Sequence, residues 1–451
     1  MSTVILRKGH DIRVAGRAER TLVDVSSPKR VALLPTEFRG IRPRLSVEVG
    51  QQVKLGTPLF TDKLHPEIRF VSPAAGTVVA LTRGARRVLT EVVVELGDDE
   101  QAENLPTFEP ESLSQCSRAQ VLQALLQGGL WGLLKQRPFG KVPNPDETPK
   151  SIFVQGMDTE PLALDPAFAL QGQEVAFQAG LDALTRLTEG PVRLCVQDRT
   201  DLAPALSGAQ RVETHRFSGP HPAGNPGTHI HFLDPVRQGE VVWYLKAVEV
   251  SDIGRLLLSG RFPAERVVAL AGPAVSQPSY LRTRVGAPMQ VLTEGRLTGE
   301  RVRYVSGTVL NGASVGAEGF LRFGDRTVTA LPEGGEQQLL AWAKPGLDKY
   351  SVSRTFPSGF CRGAPVALDT SLHGGHRAIV DLGQYDAVMP LNLMPVPLVK
   401  SLLAGDLDEA EKLGLLELAE DDLALCTFVC PSKIDFGEIL RQGLALYEKE
   451  G

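Results

Sequence analysis

The stretch FSGPHPAGNPGTHIHFLD fills residues 217–234 and decides how the middle of this chain folds. It carries three glycines and three prolines, so its backbone is permissive at some positions and stiff at others. The run before it, at 212–217, and the alternating residues 229–232 near its end each predict a β-strand. The sequence therefore predicts a shaped loop held between two strands, which is where proteins usually build binding sites.

The segments around this loop predict an α/β domain over residues 151–252. Three short apolar runs predict further strands, at residues 152–154, 192–196 and 241–244. Four apolar side chains share one face of a helix that Gly190 can end: Phe177, Leu181, Leu184 and Leu187. Strands that alternate with helices indicate a parallel, Rossmann-like sheet.

The glycine-rich loop is also a candidate phosphate site, because a helix N-terminus after such a loop binds phosphate. Here a strand is predicted after the loop instead of a helix. The chain also lacks a GxGxxG motif followed by an acidic residue for a ribose. Dinucleotide binding at this loop is therefore the weaker interpretation.

The histidines of the loop allow two interpretations. On a strand, His229 and His231 would point to the same face, and His221 could approach from the loop, which would make a three-imidazole zinc or iron site possible. The alternative is that the imidazoles hydrogen-bond loop carbonyls or a partner protein. Because no carboxylate ligand pattern lies nearby, we favour the second interpretation and predict no metal site.

Two similar β-rich repeats predict the fold of residues 1–100. VEVGQQVKLGTPLF at 47–60 and VSPAAGTVVAL at 71–81 are alternating strands separated by glycine turns. The pattern resembles the barrel-sandwich hybrid of lipoyl and biotinyl carrier domains, which attach a cofactor to a lysine at a hairpin tip. The residues around Lys63 are similar to those around such a lysine. However, Lys63 follows Gly50 too closely in the sequence to lie at the hairpin tip. An ordinary surface lysine in a structural module is therefore the favoured interpretation.

Residues 101–150 are predicted to form a helical linker. Ser117 and Gln120 match a capping box at the start of a helix. A loop with Trp131, Arg137 and Phe139 follows. Such an aromatic and basic loop can line a ligand channel, or it can simply cover the edge of a domain.

The remaining chain is predicted to form a β-grasp module at 253–335 and a helical domain at 336–451. The last helix is expected to begin near Ser432, with one apolar stripe: Phe436, Leu440, Leu444 and Tyr447. Cys426 and Cys430 in CTFVCP could suggest an iron–sulfur ligand set, but two more nearby thiolates would be needed. Packing in a core is the favoured role for this pair.

Composition excludes several functions. The chain has 451 residues and a net charge of -5, which gives no basic footprint for nucleic acid. No run approaches the ~20 apolar residues that span a bilayer, and the N-terminus lacks the apolar core of a signal peptide. Five scattered cysteines fit a reducing compartment, where they are expected to stay thiols.

A family resemblance covers nearly the whole chain. Nine fragments carry it in order: VALLPTEFRGIRP, FVSPAAGTV, RPFGKVPNP, GMDTEPLALDP, SGPHPAGNPGTHIHFLDPV, LAGPAVSQPSYLRTRVGA, DKYSVSRTF, LALCTFVCP and EKEG. Together they resemble the A-subunit family of the Na+-translocating NADH:quinone oxidoreductases. This family is similar to the C subunit of the Rnf complex and, more distantly, to the flavin-bearing subunit of complex I. Residues 156–161, GMDTEP, resemble a remnant of the glycine-rich loop with which those relatives bind flavin and nicotinamide.

The resemblance implies a peripheral subunit on the cytoplasmic face of the inner membrane, in a six-subunit complex that passes electrons from NADH to ubiquinone and exports Na+. The expected partners are chiefly integral membrane subunits. NAD, FAD, FMN and the iron–sulfur centres are expected on other subunits. This chain has neither a CxxCxxC motif nor an intact flavin-phosphate loop, so we expect it to bind no redox cofactor and to have no catalytic residue.

Members of this family are associated with the quinone end of the complex. A quinone needs an apolar slot and hydrogen-bond donors for its carbonyl groups. By residue type the candidates for the quinone region are Phe38, Arg42, Trp131, Arg137, Phe139 and His221. Two other classes stay open: a flavin- or NAD-binding electron-transfer subunit like the Rnf relative, and a purely structural scaffold.

Overall fold

The computed structural model describes residues 3–334, 345–347, 349–353, 355–360, 364–380 and 382–450. Cys361 and the predicted domain start at residue 336 lie outside the described residues. The strands of the first hundred residues are β1 Thr3–Ile5, β2 Glu19–Asp24, β3 Arg30–Leu33, β4 Pro43–Leu45, β5 Gln52–Val53, β6 Pro58–Asp62, β7 Arg69–Val71, β8 Gly76–Arg83 and β9 Leu89–Leu96.

Two antiparallel sheets form the N-terminal domain. The first has the order β3-β9-β8-β5 and the second the order β4-β6-β7. Val78 and Val92 of the first sheet share one apolar core with Phe60 and Phe70 of the second. The alternating pattern predicted this pair of sheets because each strand buries one face. Lys63 is exposed in the turn after β6, where its backbone N–H donates to the carbonyl of Arg42 at 2.8 Å.

The first two strands belong to other sheets. β1 pairs in parallel with a strand at Glu213–Ser218, and β2 pairs in parallel with a strand at Ser279–Arg284. The first 24 residues therefore join three parts of the molecule, which the local sequence pattern does not indicate.

The middle of the chain alternates between strand and helix. Its elements are α1 Arg118–Gln127, β10 Lys135–Arg137, β11 Ser151–Gln155, α2 Pro166–Ala169, α3 Glu174–Thr185, β12 Val192–Gln197, α4 Pro204–Ser207, β13 Glu213–Ser218, α5 Pro226–Leu233, β14 Val242–Lys246 and α6 Ala247–Ser259. The sheet order is β1-β13-β12-β11-β14-β10, and only β10 runs antiparallel to its neighbour. The Rossmann-like prediction is confirmed. Ser117 and Gln120 form the predicted capping box at the start of α1.

A mixed sheet follows, built from β15 Glu265–Ala271, β16 Ser279–Arg284, α7 Met289–Thr293, β17 Val302–Ser306, β18 Ala313–Ser314 and β19 Thr327–Pro332. Its order is β18-β17-β19-β15-β16-β2. Helix α6 runs across the predicted domain boundary between residues 252 and 253, and β10 of the predicted linker is the edge strand of the α/β sheet. The exact domain boundaries stay predictions.

The C-terminal region is helical, as predicted. Its helices are α8 Gln384–Val388, α9 Pro395–Ala404, α10 Leu407–Lys412, α11 Ala424–Val429 and α12 Phe436–Glu450. Helix α12 begins four residues after Ser432, and its stripe of Phe436, Leu440 and Leu444 is fully buried in the core of this domain. Cys426 and Cys430 pack in the same core, where the sulfur of Cys430 accepts a hydrogen bond from the hydroxyl of Tyr385 at 3.2 Å.

Two glycines let α3 and α6 lie against each other beside the sheet. A Cβ on Gly254 would come within 1.7 Å of the carbonyl oxygen of Ala176, and a Cβ on Gly180 within 2.0 Å of that of Val250. The obstacle is backbone on both sides, so it cannot move as a side-chain end could. Only glycine permits this helix contact.

We therefore expect Gly254→Ala to lower the free energy of unfolding by ~1–3 kcal/mol or more, because overpacking a core usually costs this much. Chemical denaturation followed by circular dichroism measures this change. Gly437→Ala is the matched control, since that helical glycine has its nearest neighbour atom at 3.4 Å. The control should be neutral or stabilising, and equal effects of the two variants would contradict the packing argument.

Candidate functional site

The glycine- and proline-rich loop ends in a helix, so the predicted strand at 229–232 is wrong. Asn225 has extended backbone angles at the N-cap position, and Pro226 occupies the first turn of α5. Proline is favoured there because an N–H group in the first turn has no acceptor within the helix, so its absence loses no hydrogen bond. The Asn-Pro pair was the sequence signal for this helix, and it outweighs the alternation of four residues.

The helix separates the histidines. His229 is fully buried, and its Nε2 donates to the carbonyl of Ala223 at 2.9 Å. His231, two residues on, is half-buried, and its Nδ1 donates to Glu417 at 2.7 Å. The ring of His221 hydrogen-bonds the hydroxyl of Thr159 at 3.1 Å. Each imidazole thus contacts a different part of the protein, and the three do not converge on one point.

Arg137 connects the α/β sheet to the C-terminal helical domain. Its side chain is fully buried, with guanidinium nitrogens 2.6 Å from Asp422 and 3.1 Å from Asp421. It also donates to the carbonyl of Glu417 at 3.1 Å and lies over the ring of Tyr244 at 5.3 Å. Burial raises the pKa of Asp422 to about 6 against the pull of Arg137. Arg137 therefore belongs to a charged pair inside a domain interface.

The N-terminus of α5 faces the same carboxylate. A Cβ on Gly227 would lie 2.1 Å from Oδ1 of Asp422, so only glycine lets this carboxylate approach the first turn of the helix. Helix N-termini favour negative charge. Asp422 thus occupies the position where a glycine-rich loop and helix would hold a phosphate in a nucleotide-binding protein.

Phe139 lies beside this interface. It is half-buried with φ of +80°, and its ring is 6.5 Å from that of Tyr447 on α12. The Nζ of Lys141 lies 5.2 Å from the same ring. Phe139 therefore contacts the helical domain, as Arg137 does.

The other candidates lie apart from these two. Trp131 is fully buried; its ring meets that of Trp243 at 5.3 Å and its Nε1 donates to the carbonyl of Pro143 at 2.8 Å. Phe38 is a core residue of the N-terminal domain, 4.2 Å from the ring of Phe70. Arg42 is exposed. The structure therefore brings Arg137 and Phe139 together but does not gather all six predicted residues around one slot.

A cleft of about 690 Å³ opens where the N-terminal domain, the mixed sheet and the C-terminal helices meet. Its lining includes Leu34, Glu37, Leu310, Arg322, Phe428 and Arg441. None of the six candidates is among its described lining residues. These lining residues come from distant parts of the sequence, so no local motif could indicate them.

A smaller cavity of about 260 Å³ lies at the carboxyl ends of β11 and β12 and includes Gly156, Met157, Asp158 and Glu160 of the GMDTEP segment. Burial, together with the charge of Glu160, raises the pKa of Asp158 to about 7. Glu160 accepts hydrogen bonds from Thr308 and, at 2.7 Å, from Asn311 of the mixed-sheet domain. The segment at this sheet edge is thus acidic and bound to a neighbouring domain.

The described residues contain no helix that is both long and apolar enough to cross a membrane. They also contain no cluster of His, Cys, Asp and Glu side chains with the arrangement of a metal site.

Comparison with known proteins gives matches along the chain. The family model described as "NqrA N-terminal barrel-sandwich hybrid domain" matches residues 4–97. The one described as "NqrA second alpha/beta domain" matches residues 116–262, and "NQRA C-terminal domain" matches residues 267–317. These matches agree with the three β-containing domains seen in the structure.

Full-length relatives share one name, that of the A subunit of Na(+)-translocating NADH-quinone reductase. The protein of Yersinia pseudotuberculosis is 45% identical over 447 residues, 99% of each chain. That of Pseudomonas aeruginosa is 44% identical over 448 residues, 99% of each chain. That of Vibrio parahaemolyticus is 43% identical over 449 residues, 99% of this chain and 100% of the relative. At this identity and coverage, the chain belongs to the A-subunit family of the Na(+)-translocating NADH-quinone reductases.

Proposed function

We propose that this chain is a peripheral subunit of a six-subunit Na+-translocating NADH:ubiquinone reductase, bound on the cytoplasmic face of the inner membrane. In this role it docks on the integral membrane subunits and contributes to the quinone region. The observation that carries the proposal is the 43–45% identity, over nearly the full length, to relatives that bear the name of this enzyme's A subunit. NAD, FAD, FMN and the iron–sulfur centres are held by other subunits, and this chain acts by shape and contact.

Exposed apolar side chains support the docking role. Six of them fall among the described residues between 347 and 382: Leu347, Val352, Phe360, Leu372, Val380 and Leu382. Phe360 is 79% exposed and Leu347 72% exposed. Single apolar residues on a surface are ordinary, whereas a contiguous apolar patch marks an interaction site. We propose that these six side chains contact the apolar surface of a membrane subunit in the assembled complex.

The small cavity at the sheet edge and the position of Asp422 favour this role over that of a flavin- or NAD-binding subunit. The cavity at the carboxyl edge, about 260 Å³, is smaller than the ~300–1,000 Å³ of ordinary ligand pockets. Asp422 already faces the N-terminus of α5, where a phosphate would bind. The lining of the cavity carries charges of both signs: Asp158, Glu160, Asp165, Arg17, Arg20 and Arg199. FMN released from the denatured, purified chain in stoichiometric amount would reverse this preference.

Labelling with a photoreactive quinone distinguishes the proposed function from that of a purely structural scaffold. In the assembled complex, a photoreactive quinone that labelled only the membrane subunits would favour a purely structural role. Labelling of this chain near the loops at 38–42 or 131–139 would support the proposed contribution to the quinone region.

Arg42 is the clearest probe among the six candidates, because its side chain is exposed. We expect Arg42→Ala to lower quinone-dependent NADH turnover by about tenfold, the effect of losing one charge-assisted hydrogen bond. NADH oxidation by an artificial electron acceptor should be unchanged. Arg44→Ala, two residues away and also exposed, is the matched control. Equal loss of both activities in Arg42→Ala, or an equal effect of the control, would contradict a quinone contact.

Arg137 requires a different experiment, because its replacement leaves two carboxylates at a buried interface. We expect Arg137→Ala to destabilise the chain by about 3–5 kcal/mol, the usual cost of removing one member of a buried ion pair. The surface ion pair of Arg30 and Glu95 provides the control. Both side chains are half-exposed, and their charged atoms lie 3.3 Å apart. Arg30→Ala should change stability by ~1 kcal/mol or less. Chemical denaturation compares the two, and an Arg137→Ala chain of wild-type stability would refute the interface role.

A further inference from the structure

The outer face of the sheet β4-β6-β7 gathers positive charge. Arg44 of β4 pairs with Thr61 of β6, and Thr61 pairs on its other side with Arg69 of β7. The ladder continues by one step beyond the strands, where the backbone N–H of Lys63 donates to the carbonyl of Arg42 at 2.8 Å. Side chains alternate along a strand, so these residues share one face of the sheet. We call the set of Arg42, Arg44, Lys63 and Arg69 the cationic face.

The cationic face points out of the molecule. Phe60 and Phe70 pair across β6 and β7 one residue away from this row, and both are fully buried in the core of the N-terminal domain. The side chains of the cationic face are exposed, apart from Arg69, which is partly exposed. The four cations are therefore accessible to a partner.

The acidic residues of this part of the chain are engaged elsewhere. The carboxylate of Asp62 is buried and accepts the backbone N–H groups of Arg42 at 2.7 Å and of His65 at 3.1 Å. The carboxylate of Glu67 lies 3.3 Å from the ring of His65. Within the described part of the chain, no carboxylate lies at salt-bridge distance from any of the four cations. The positive charge of this face is thus not neutralised by the protein.

Such clustering is electrostatically unfavourable in the chain alone. Neighbouring strands lie ~4.8 Å apart, so the backbones of Arg44 and Arg69 are ~10 Å apart, and those of Arg42 and Arg44 on one strand are ~7 Å apart. These separations are close to the Debye length of ~8 Å at physiological salt, so the charges repel one another. The chain as a whole has a net charge of -5, so the excess of cations is local. An anionic partner would relieve this repulsion.

The shape of the face favours a membrane surface over an acidic polypeptide. None of the four cations lines either of the two cavities described above. An extended polypeptide is usually held in a groove or along a sheet edge, whereas an array of lipid head groups needs no shaped pocket. Leu64, directly after Lys63, is 59% exposed. Cations next to an exposed apolar side chain also characterise the amphipathic elements that lie at a membrane interface.

We propose that the cationic face contacts anionic phospholipid head groups of the membrane, beside the subunits on which the chain docks. The inference rests on the proposed function, which brings the chain to the cytoplasmic leaflet, where the surface potential is negative. Each arginine or lysine near such a surface strengthens binding about fivefold, which corresponds to about 1 kcal/mol. Four cations therefore orient the docked subunit without anchoring it alone.

Vesicle binding by the purified 451-residue chain tests this contact. We expect the chain to sediment at low ionic strength with vesicles of phosphatidylglycerol and phosphatidylethanolamine, but not with vesicles of phosphatidylcholine. Added salt should release it, because salt screens exposed charges. The triple variant Arg44→Gln, Lys63→Gln, Arg69→Gln should bind the anionic vesicles about 100-fold more weakly, the product of three fivefold effects. Arg42 stays in place because it is a candidate for the quinone region.

A second triple variant is the matched control. Arg83, Arg86 and Arg87 are exposed cations at the turn between β8 and β9 of the same domain. Replacing these three with glutamine removes the same charge from the chain, and it should weaken vesicle binding far less than the first triple variant does. The charge-conserving variant Arg44→Lys, Arg69→Lys should bind as the wild type does.

Stability separates a docking role from a structural one. The first triple variant loses repulsion between like charges and no ion pair, so chemical denaturation should find it at least as stable as the wild type. A clear loss of stability would give these cations a structural role and overturn the proposed contact.

The outcomes also separate this inference from the function on which it rests. Loss of vesicle binding in the first triple variant, with normal assembly into the complex, supports the lipid contact. Equal losses in the two triple variants, or equal binding of the wild type to neutral vesicles, overturn it. If the wild type ignores anionic vesicles and the first triple variant fails to co-purify with the membrane subunits, the face binds an acidic protein and the lipid contact is wrong. A wild-type chain that never co-purifies with membrane subunits overturns the proposed function itself, whatever its binding to vesicles.

Discussion

The buried contact of Arg137 with Asp421 and Asp422 determines how the helical domain sits on the rest of the molecule. Its partners come from distant parts of the chain, and its distances of 2.6 and 3.1 Å leave little freedom. A buried ion pair adds little net stability compared with an apolar contact, but breaking one is costly. Its effect is therefore to fix an arrangement. Glu420, directly before Asp421, lines the interdomain cleft, so the shape of the cleft depends on this contact.

Local periodicity predicted the strands and helices of the α/β domain well, because each element buries one regular face. It failed at residues 229–232, where four alternating residues were weaker evidence than the N-cap and proline at 225–226. Composition also could not show where Arg137 points. Its acidic partners lie 284 and 285 residues away, so a loop whose residue types suit a ligand is part of a buried interface. The cleft was beyond prediction for the same reason: its lining residues become neighbours only after the domains assemble.

Carboxyl groups of the protein lie at the N-terminus of α5 and at the carboxyl edge of the α/β sheet. Asp422 faces the N-terminus of α5, and Asp158 and Glu160 occupy the carboxyl edge of the sheet. Glu160 also binds Thr308 and Asn311 of the next domain. These carboxyl groups therefore hold domains together.

The same reasoning explains why Glu37 is different. Most other buried acids here have close partners: Asp252 contacts Arg326 and Arg255, and Asp422 contacts Arg137. Glu37 instead accepts the backbone N–H of Phe323 at 2.6 Å and lies 4.0 Å from the guanidinium of Arg322. Burial without a close ion pair raises the pKa of this carboxyl group to about 7. Because its backbone donor belongs to the mixed-sheet domain, Glu37 joins that domain to the N-terminal domain through a hydrogen bond rather than through a close ion pair.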